Sequence, residues 1–508
     1  PPMTLVPAPG SATPPIALAG EAGSATGRLT APIVLLDDDF LARLADACPD
    51  VSLDPAARAD ASRDWWPLAM IWATQGQVGQ VAGALARPTS VDQVAAVLRL
   101  CHEARIPVTP AAGRSSVVGG TVPVHGGVLL DLTGLSGIVS VDATSGVVEV
   151  LAGTFGDAFE AELSTNHGLT VGHWPQSMAL STVGGWIACR GAGQLSNRYG
   201  KIEDIVLGLE VVLPDGRTIR TGGQPREAVG PELSRLFVGA EGTLGVITRA
   251  WLQAWPTPTG NGRSAWGYAS FGAALEAMRR IVRRGASPAV LRLYDGIESE
   301  RNFGVDRSVH VLLAYDEGDP VMVDATMAVV TAECEATGAD RLGDDLVDRW
   351  FGHRNDVAAL ETFISKGYVV DTLEVSAPWA ALDRIYSETV AAMRAVPGSM
   401  LVSAHQSHSY PTGACLYFTF GGLVEPDERD AYYTAVWDAG TRTVLTNGGS
   451  LSHHHGIGLN RARFVREALG GGFGVLTAMK AALDPNGVCN PGKLGLPDAF
   501  GGAGWPNP

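Results

Sequence analysis

The chain has 508 residues, 46 % apolar and 18 % charged, with a formal net charge of −16. That is longer than one compact domain of about 50–250 residues, and the acidic balance argues against nucleic acid or an anionic membrane surface as partner. Six cysteines at 48, 101, 189, 334, 415 and 489 are too dispersed for a zinc ligand set or a disulfide framework.

No apolar run approaches the ~18 residues of a membrane span, and residues 1–32 lack the basic start and apolar core of a signal peptide. The expectation is a cytoplasmic protein with no integral membrane segment. Residues 1–35, rich in Pro, Ala and Gly, read as a flexible arm with part of it held against something. A helix is expected from Asp38, its N-cap candidate, through Phe40, Leu41 and Leu44. Ser90 with Gln93 makes a capping-box signature ahead of Val91, Val94, Ala95, Leu98 and Cys101 at helical spacing. Strands are expected at 106–110, 128–132, 138–141, 147–151 and 205–213, with a helix at 157–166. Pro256-Thr257-Pro258 closes this region. Beyond it come helices at 273–284 and 319–337, strands at 308–315 and 415–420, and a helical stretch over 463–483. The alternation indicates an α+β or α/β core.

Three glycine-rich segments carry the chemical signal. The first follows a strand: Pro110, then Gly113-Arg114-Ser115-Ser116 and Gly119-Gly120. Small residues there let backbone amides face an anion, with Ser115 and Ser116 adding hydroxyls. The pattern is neither GxGxxG nor a Walker loop, and an ordinary turn uses the same residues. The second is Pro175-Gln176-Ser177, followed by Ser181-Thr182-Val183-Gly184-Gly185, and permits close backbone approach to a planar ring or pyrophosphate. A structural bend is its alternative. The third is Gly239-Ala240-Glu241-Gly242-Thr243-Leu244-Gly245-Val246-Ile247-Thr248.

In this order and spacing the three segments resemble the FAD-binding domain of the vanillyl-alcohol oxidase/p-cresol methylhydroxylase flavoproteins. The resemblance implies an α+β fold: a two-subdomain, PCMH-type FAD-binding domain, plus an α+β cap with an antiparallel sheet and flanking helices. It sets an N-terminal arm at 1–35, a helical segment at 36–82, the FAD-binding domain at 83–257, the cap at 258–445 and a returning C-terminal segment at 446–508. The turn at 113–120 would take the pyrophosphate, 175–185 the ring and diphosphate, and 242–248 the adenine side. With no histidine at 111–120, non-covalent FAD is expected.

The segments Asp371–Trp379, 413–420 and Asn447–Gly458 resemble the alkyldihydroxyacetonephosphate-synthase-like branch, as do Asn197, Tyr199, Gly200, Ile202, Glu203 and Asp204. That likeness places Tyr199 on the cofactor side and makes Tyr417, His453, His454 and His455 active-site residues. Tyr417 also reads as a plain strand aromatic, and successive histidines on an extended segment face opposite ways, so at least one is structural. His405 and His408 read as solvated or structural. Arg292 either pairs with Asp295 or faces the pocket. Where the branch has a phosphate-binding arginine this chain counts to Leu360, and Arg354 is the nearest guanidinium. No metal is expected, because the GDGN run and the glutamate of the glycolate oxidase relatives are replaced by Ser407-His408-Ser409-Tyr410 and His454.

The resulting expectation is an FAD-dependent oxidoreductase that passes a hydride from a small, non-phosphorylated alcohol-type substrate to the flavin, with Tyr417 or a histidine of 453–455 as base. Molecular oxygen or another acceptor would reoxidise it, and the resemblance implies a homodimer through the cap. The alternatives are an ether-forming transferase working through a flavin adduct, favoured if Arg354 reaches the pocket, and a non-catalytic flavin-binding protein.

Overall fold

The computed structural model describes residues 14–506, apart from the side chains of 358 and 359. Residues 1–13 of the expected arm lie outside that range.

A four-stranded sheet runs in the order Val51–Ser52, Ala84–Ala86, Val128–Asp131, Val108–Ala111, parallel except for the first pairing. Helices Asp38–Ala47 and Val91–Ala104 cover it, burying Phe40, Leu44, Val94, Leu98 and Cys101 with Val108 and Val128. The periodicity of apolar residues in Val91–Ala104 is what makes this face. Ser90 Oγ caps the Gln93 amide at 3.3 Å, although Gln93 Oε1 reaches back to Thr89 N rather than to Ser90. At the first helix the cap is Asp37, whose carboxylate accepts from Phe40 N at 2.8 Å, one residue before the expected Asp38.

A five-stranded antiparallel sheet follows, in the order Thr218–Gly222, Val206–Val212, Val246–Gln253, Val147–Leu151, Ile138–Asp142. Helices Gly156–His167 and Val183–Cys189 share its core through Phe159, Leu163, Val183, Trp186 and Ile187.

The third layer is a seven-stranded antiparallel sheet, in the order Asp340–Leu342, Gly260–Tyr268, His310–Gly318, Val290–Tyr294, Ser399–Tyr410, Gly413–Gly422, Val369–Pro378. Helices Phe271–Arg283, Pro320–Ala336, Trp379–Arg394 and Arg429–Thr446 pack on one face against Leu291, Leu293, Ala404, Leu416, Phe418 and Phe420. Alternation along each strand then turns Arg292, His405, Tyr417 and Thr419 to the opposite face.

The described part of the N-terminal arm is tied down rather than free. Thr26–Gly27 pairs in parallel with Gln77–Val78, Arg63 Nη1 donates to Ile16 O at 2.6 Å, and Arg28 pairs with Asp430 at 2.8 Å. The expected 463–483 helix is broken into Ala462–Phe464, Val465–Leu469 and Gly472–Leu483, because Gly470 and Gly471 interrupt it. Among the described residues no helix is long and apolar enough to cross a membrane.

Candidate active site

A cavity of about 1090 Å³ is lined on one side by the turns of the four- and five-stranded sheets and on the other by the free face of the seven-stranded sheet. It exceeds the ~300–1,000 Å³ of ordinary small-ligand pockets.

The first side is glycine and small hydroxyl residues with apolar walls. Pro110, Gly113, Arg114, Ser115 and Ser116 line it, and Ser116 Oγ accepts from the amides of Val118 and Gly120, which curls the turn. Arg114 sits at φ 54°, and its guanidinium turns to Asp60 O at 2.6 Å. Pro175, Gln176, Ser177, Ser181, Thr182, Gly184, Gly185, Glu241, Gly242, Gly245, Val246 and Ile247 also line the cavity. Thr182 caps the helix Val183–Cys189, and Ser181 Oγ holds Trp186 Nε1 at 2.7 Å. Gly184 and Gly185 differ in kind. A Cβ on Gly184 would meet Ala152 at 2.7 Å, whereas one on Gly185 would meet only Thr182 Oγ1 at 3.3 Å. The space over Gly185 is therefore open to a ligand, and a shape of bare backbone beside apolar Leu132, Leu180, Val246 and Ile247 fits a flat ring with a diphosphate.

The second side presents charge and imidazole. Arg292 is buried, its Nε donating to Tyr294 OH at 3.1 Å, with its guanidinium 5.5 Å from the Trp350 ring; Asp295 instead caps the helix Gly296–Phe303. Arg354 lies over Phe351, Trp174 and Trp350 at 4.8, 5.4 and 5.8 Å. Its Nε and Nη1 are buried without a hydrogen-bond partner, and desolvation lowers its pKa. Neither arginine forms a salt bridge with the described residues. Leu360, Phe363, Tyr368, Val370 and Leu401 continue the wall as an apolar limb.

Tyr417 projects between two histidine groups. His405 stacks on it at 4.7 Å and 18°, and the His454 and His455 rings lie 6.0 and 5.4 Å away. Desolvation pushes the Tyr417 phenol above its usual range, so it is a hydrogen-bond donor at neutral pH.

One buried carboxylate holds the histidine run. Glu374 Oε1 accepts from the amides of His453, His454 and His455 at 3.2, 3.1 and 2.9 Å and from Ser452 Oγ at 2.6 Å. Its other oxygen meets Arg461 Nη2. His455 Nδ1 is 3.0 Å from Glu374 Oε2 but not aligned for a hydrogen bond. Burial alone would raise this carboxyl, but Arg461 and His455 hold it well below the usual value. Glu241 makes a second clamp from the opposite side, accepting from Ile457 N at 2.6 Å and Gly458 N at 2.8 Å. Its carboxylate thus faces this segment.

Nitrogens of His408, His453 and His454 lie within 4.8 Å of one another. They are engaged already: His453 Nδ1 with His454 Nδ1 at 2.8 Å, His453 Nε2 with Tyr410 OH at 2.7 Å, and His408 Nδ1 with Ser196 Oγ at 2.8 Å. Burial lowers all three imidazole pKa values well below normal.

Of the residues singled out in the sequence, Tyr417, His454, His455, Arg292, Arg354 and Leu360 come together on the second side. Gly119, Tyr199 and His453, expected to bind cofactor or act in catalysis, do not line the cavity. Gly119 (φ 75°) lies under the Trp66 ring, where a Cβ would come within 2.9 Å. Tyr199 donates to Glu317 at 2.8 Å and packs on Trp255. His453 sits behind His454, with Lys201 Nζ donating to its carbonyl at 2.7 Å. His405 and His408, read as solvated or structural, both line the cavity, His408 buried and His405 partly buried with its side chain 12 % exposed. Glu374, Arg461 and Glu298 were missed, since nothing local marks a carboxylate whose partners lie some eighty or a hundred residues away.

Residues 82–222 match an FAD binding domain and residues 260–494 the C-terminal domain of FAD linked oxidases. The chain is 28 % identical over 477 residues to alkyldihydroxyacetonephosphate synthase of Trypanosoma brucei brucei, covering 85 % of this chain and 75 % of that protein. It is 30 % identical over 433 residues to the FAD-linked oxidoreductase YgcU of Escherichia coli O157:H7, covering 82 % and 89 %. The structure of p-cresol methylhydroxylase shares the fold at a TM-score of 0.74 and 16 % identity, over 92 % of this chain and 98 % of that one.

Proposed function

The chain belongs to the FAD-linked oxidases and binds FAD, and we propose that it oxidises a small alcohol-type substrate that carries an anionic group and an apolar portion. The observation that supports this reading is Arg354: a guanidinium in the cavity wall with two buried nitrogens that lack a hydrogen-bond partner, and with Glu317 acting on it only from beyond salt-bridge distance. A buried cation with unmet donors is costly, and a carboxylate or phosphate on the substrate would accept from them directly. Arg292, also without a salt bridge, stands on the same wall. The preference for a non-phosphorylated donor rested on Leu360; with Arg354 reaching the wall from six residues earlier, that ground is removed. The limb at Leu360, Val370 and Leu401 suits the apolar portion.

Bound FAD supplies an acceptor for two electrons, non-covalently on this reading. The turn at 113–116 and Thr182–Gly185 would hold its diphosphate and ring, and Gly242–Ile247 its adenine side. Tyr417, kept protonated by burial, would donate a hydrogen bond to the substrate oxygen. His454 and His455 would fix the opposite wall, held in place by Glu374. Arg354 and Arg292 would orient the substrate through its anionic group.

The second reading is an ether-forming transferase of the kind the Trypanosoma relative's name describes. The same Arg354 and the apolar limb favour it. Anaerobic titration of the yellow protein separates the two. The oxidase reading expects flavin bleaching by 2-hydroxy acids or phosphorylated alcohols, with colour recovered in air. Bleaching by an acyl-dihydroxyacetone phosphate alone, with release of fatty acid, overturns it.

A further inference from the structure

We propose that His405 takes the hydroxyl proton of the substrate and that Glu298 is its positioning residue; this rests on the redox reading above. Tyr294, His405, Tyr417 and Glu374 stand directly opposite one another across four neighbouring strands, so His405 shares the cavity face with the Tyr417 phenol. Its Nδ1 lies 2.8 Å from Glu298 Oε2. That carboxylate is 1 % exposed and also accepts from Ser403 Oγ at 3.0 Å and Thr419 Oγ1 at 3.2 Å. A carboxylate so surrounded by donors is ionised and has no hydrogen to give, so Nδ1 carries the proton and the lone pair belongs to Nε2. Nε2 has no hydrogen-bond partner among the described residues, and the ring lines the cavity.

The neighbouring groups do not offer the same chemistry. His453 has both nitrogens engaged, His454 and His408 each have one bonded within the cluster or to Ser196, and the Tyr417 phenol holds its proton. His455 has the Glu374 carboxylate 3.0 Å from Nδ1, but the two are not aligned for a hydrogen bond, and that carboxylate already answers three amides, Ser452 and Arg461. Among these histidines His405 is the one with a carboxylate hydrogen-bonded behind the ring and an open nitrogen in front of it. This is the arrangement general-base catalysis requires: an orienting acceptor on one ring nitrogen and the other free to reach the substrate. Stacking on Tyr417 fixes the plane of the imidazole.

In the step, the substrate O–H bond breaks and its proton bonds to Nε2. The O–H electron pair stays on oxygen and becomes the second C=O bond as the C–H pair leaves as hydride to the oxidised flavin. The substrate loses two electrons and two hydrogens, and His405 becomes an imidazolium facing the Glu298 carboxylate. Around the ring stand Glu298 and Arg301 from the helix Gly296–Phe303, Arg292 and Tyr294 from one neighbouring strand, Tyr417 from the other, and His408 on its own strand. Burial first, then Arg292 and Arg301, lower the imidazole pKa against the opposing effect of Glu298, which keeps the ring neutral and able to accept.

Two measurements on the FAD-loaded full chain test this. In stopped flow, His405→Asn is expected to reduce flavin at least ~100-fold more slowly, to lose the acid limb of the wild-type pH profile, and to leave the resting flavin spectrum unchanged. Added imidazole is expected to restore part of the rate in His405→Ala. Wild-type rate and pH profile in His405→Asn overturn the proposal. Nitrogen-15 NMR of histidine-labelled wild type reads the tautomer without substrate: Nδ1–H with bare Nε2 is expected, shifting in Glu298→Gln. A His405 found as the Nε2–H tautomer, or charged from pH 6 to 9, overturns the dyad even where no variant folds. A wild-type flavin that no donor reduces overturns the redox reading itself, which distinguishes that failure from this one.

Discussion

Glu374→Gln replaces the carboxylate that receives three successive amides, a serine hydroxyl and Arg461 with an amide that can answer only some of them. Both Glu374 and Arg461 have fully buried side chains, and the guanidinium also lies 4.9 Å over the Trp437 ring. Removing one charge of such a pair leaves the other uncompensated, at a cost of roughly 3–5 kcal/mol. At ~2–4 °C per kcal/mol for a unit of 150–250 residues, the cap-sheet transition is expected to fall by about 6–20 °C. Because the folded carboxyl pKa lies well below its ordinary 4.5, the stability it contributes is present above pH 4.5 and disappears as pH falls through the folded value. The difference between wild type and variant should therefore be full at pH 7 and shrink in acid. Differential scanning calorimetry at pH 7 and across the acid range measures both. Pairing Glu374→Gln with Arg461→Met should recover part of the loss, since no bare cation remains. A variant melting within 1 °C of wild type at pH 7 refutes the reasoning.

Arg354→Met is expected to raise KM for anionic donors by about 10–150-fold, the loss of a ~1.5–3 kcal/mol charge-assisted hydrogen bond, while leaving KM for neutral alcohols unchanged; equal effects on both count against an anion site. Tyr417→Phe should keep a normal flavin spectrum and slow reduction by about 100-fold, the scale for losing one donor to a developing oxyanion; a reduction rate near wild type removes the phenol from the mechanism. Gly185→Val should fold normally yet purify colourless, because its side chain enters open cavity, and a full flavin-to-protein absorbance ratio would show that the ring lies elsewhere. Gly184→Val is the less informative variant, since it strikes Ala152 before any ligand.

The elements legible in the sequence were those whose signals are local. Val91–Ala104 shows its apolar stripe and its serine cap, and Pro320–Ala336 shows Asp319 followed by proline. Trp379–Arg394 and Arg429–Thr446 were not foreseen; neither has a side-chain cap, and both owe their place to packing under the large sheet. The glycine turns were legible as cofactor-binding candidates because backbone approach constrains residue type directly. The opposite wall was legible only where motif and position coincided, at Tyr417 and the histidine run. His405 looked ordinary because its meaning depends on Glu298, 107 residues earlier, and on a cross-strand register that no local pattern encodes. Tyr199 had the reverse fault: a matching motif whose hydroxyl turns to Glu317.

The returning segment has a consequence for biosynthesis. Leu459 N and Asn460 N bond to Val118 O, Val108 N and Asn490 N exchange bonds with Val488 and Val108, and Asn490 Nδ2 bridges Gly120 O and Glu241 O at 3.1 and 2.7 Å. The wall that Glu374 and Glu241 clamp is thus built from residues translated after both sheets it joins. Domains form in the order they leave the ribosome, so a nascent chain that has not reached Asn490 lacks the ties that hold Val108, Gly120 and Glu241 to the returning segment.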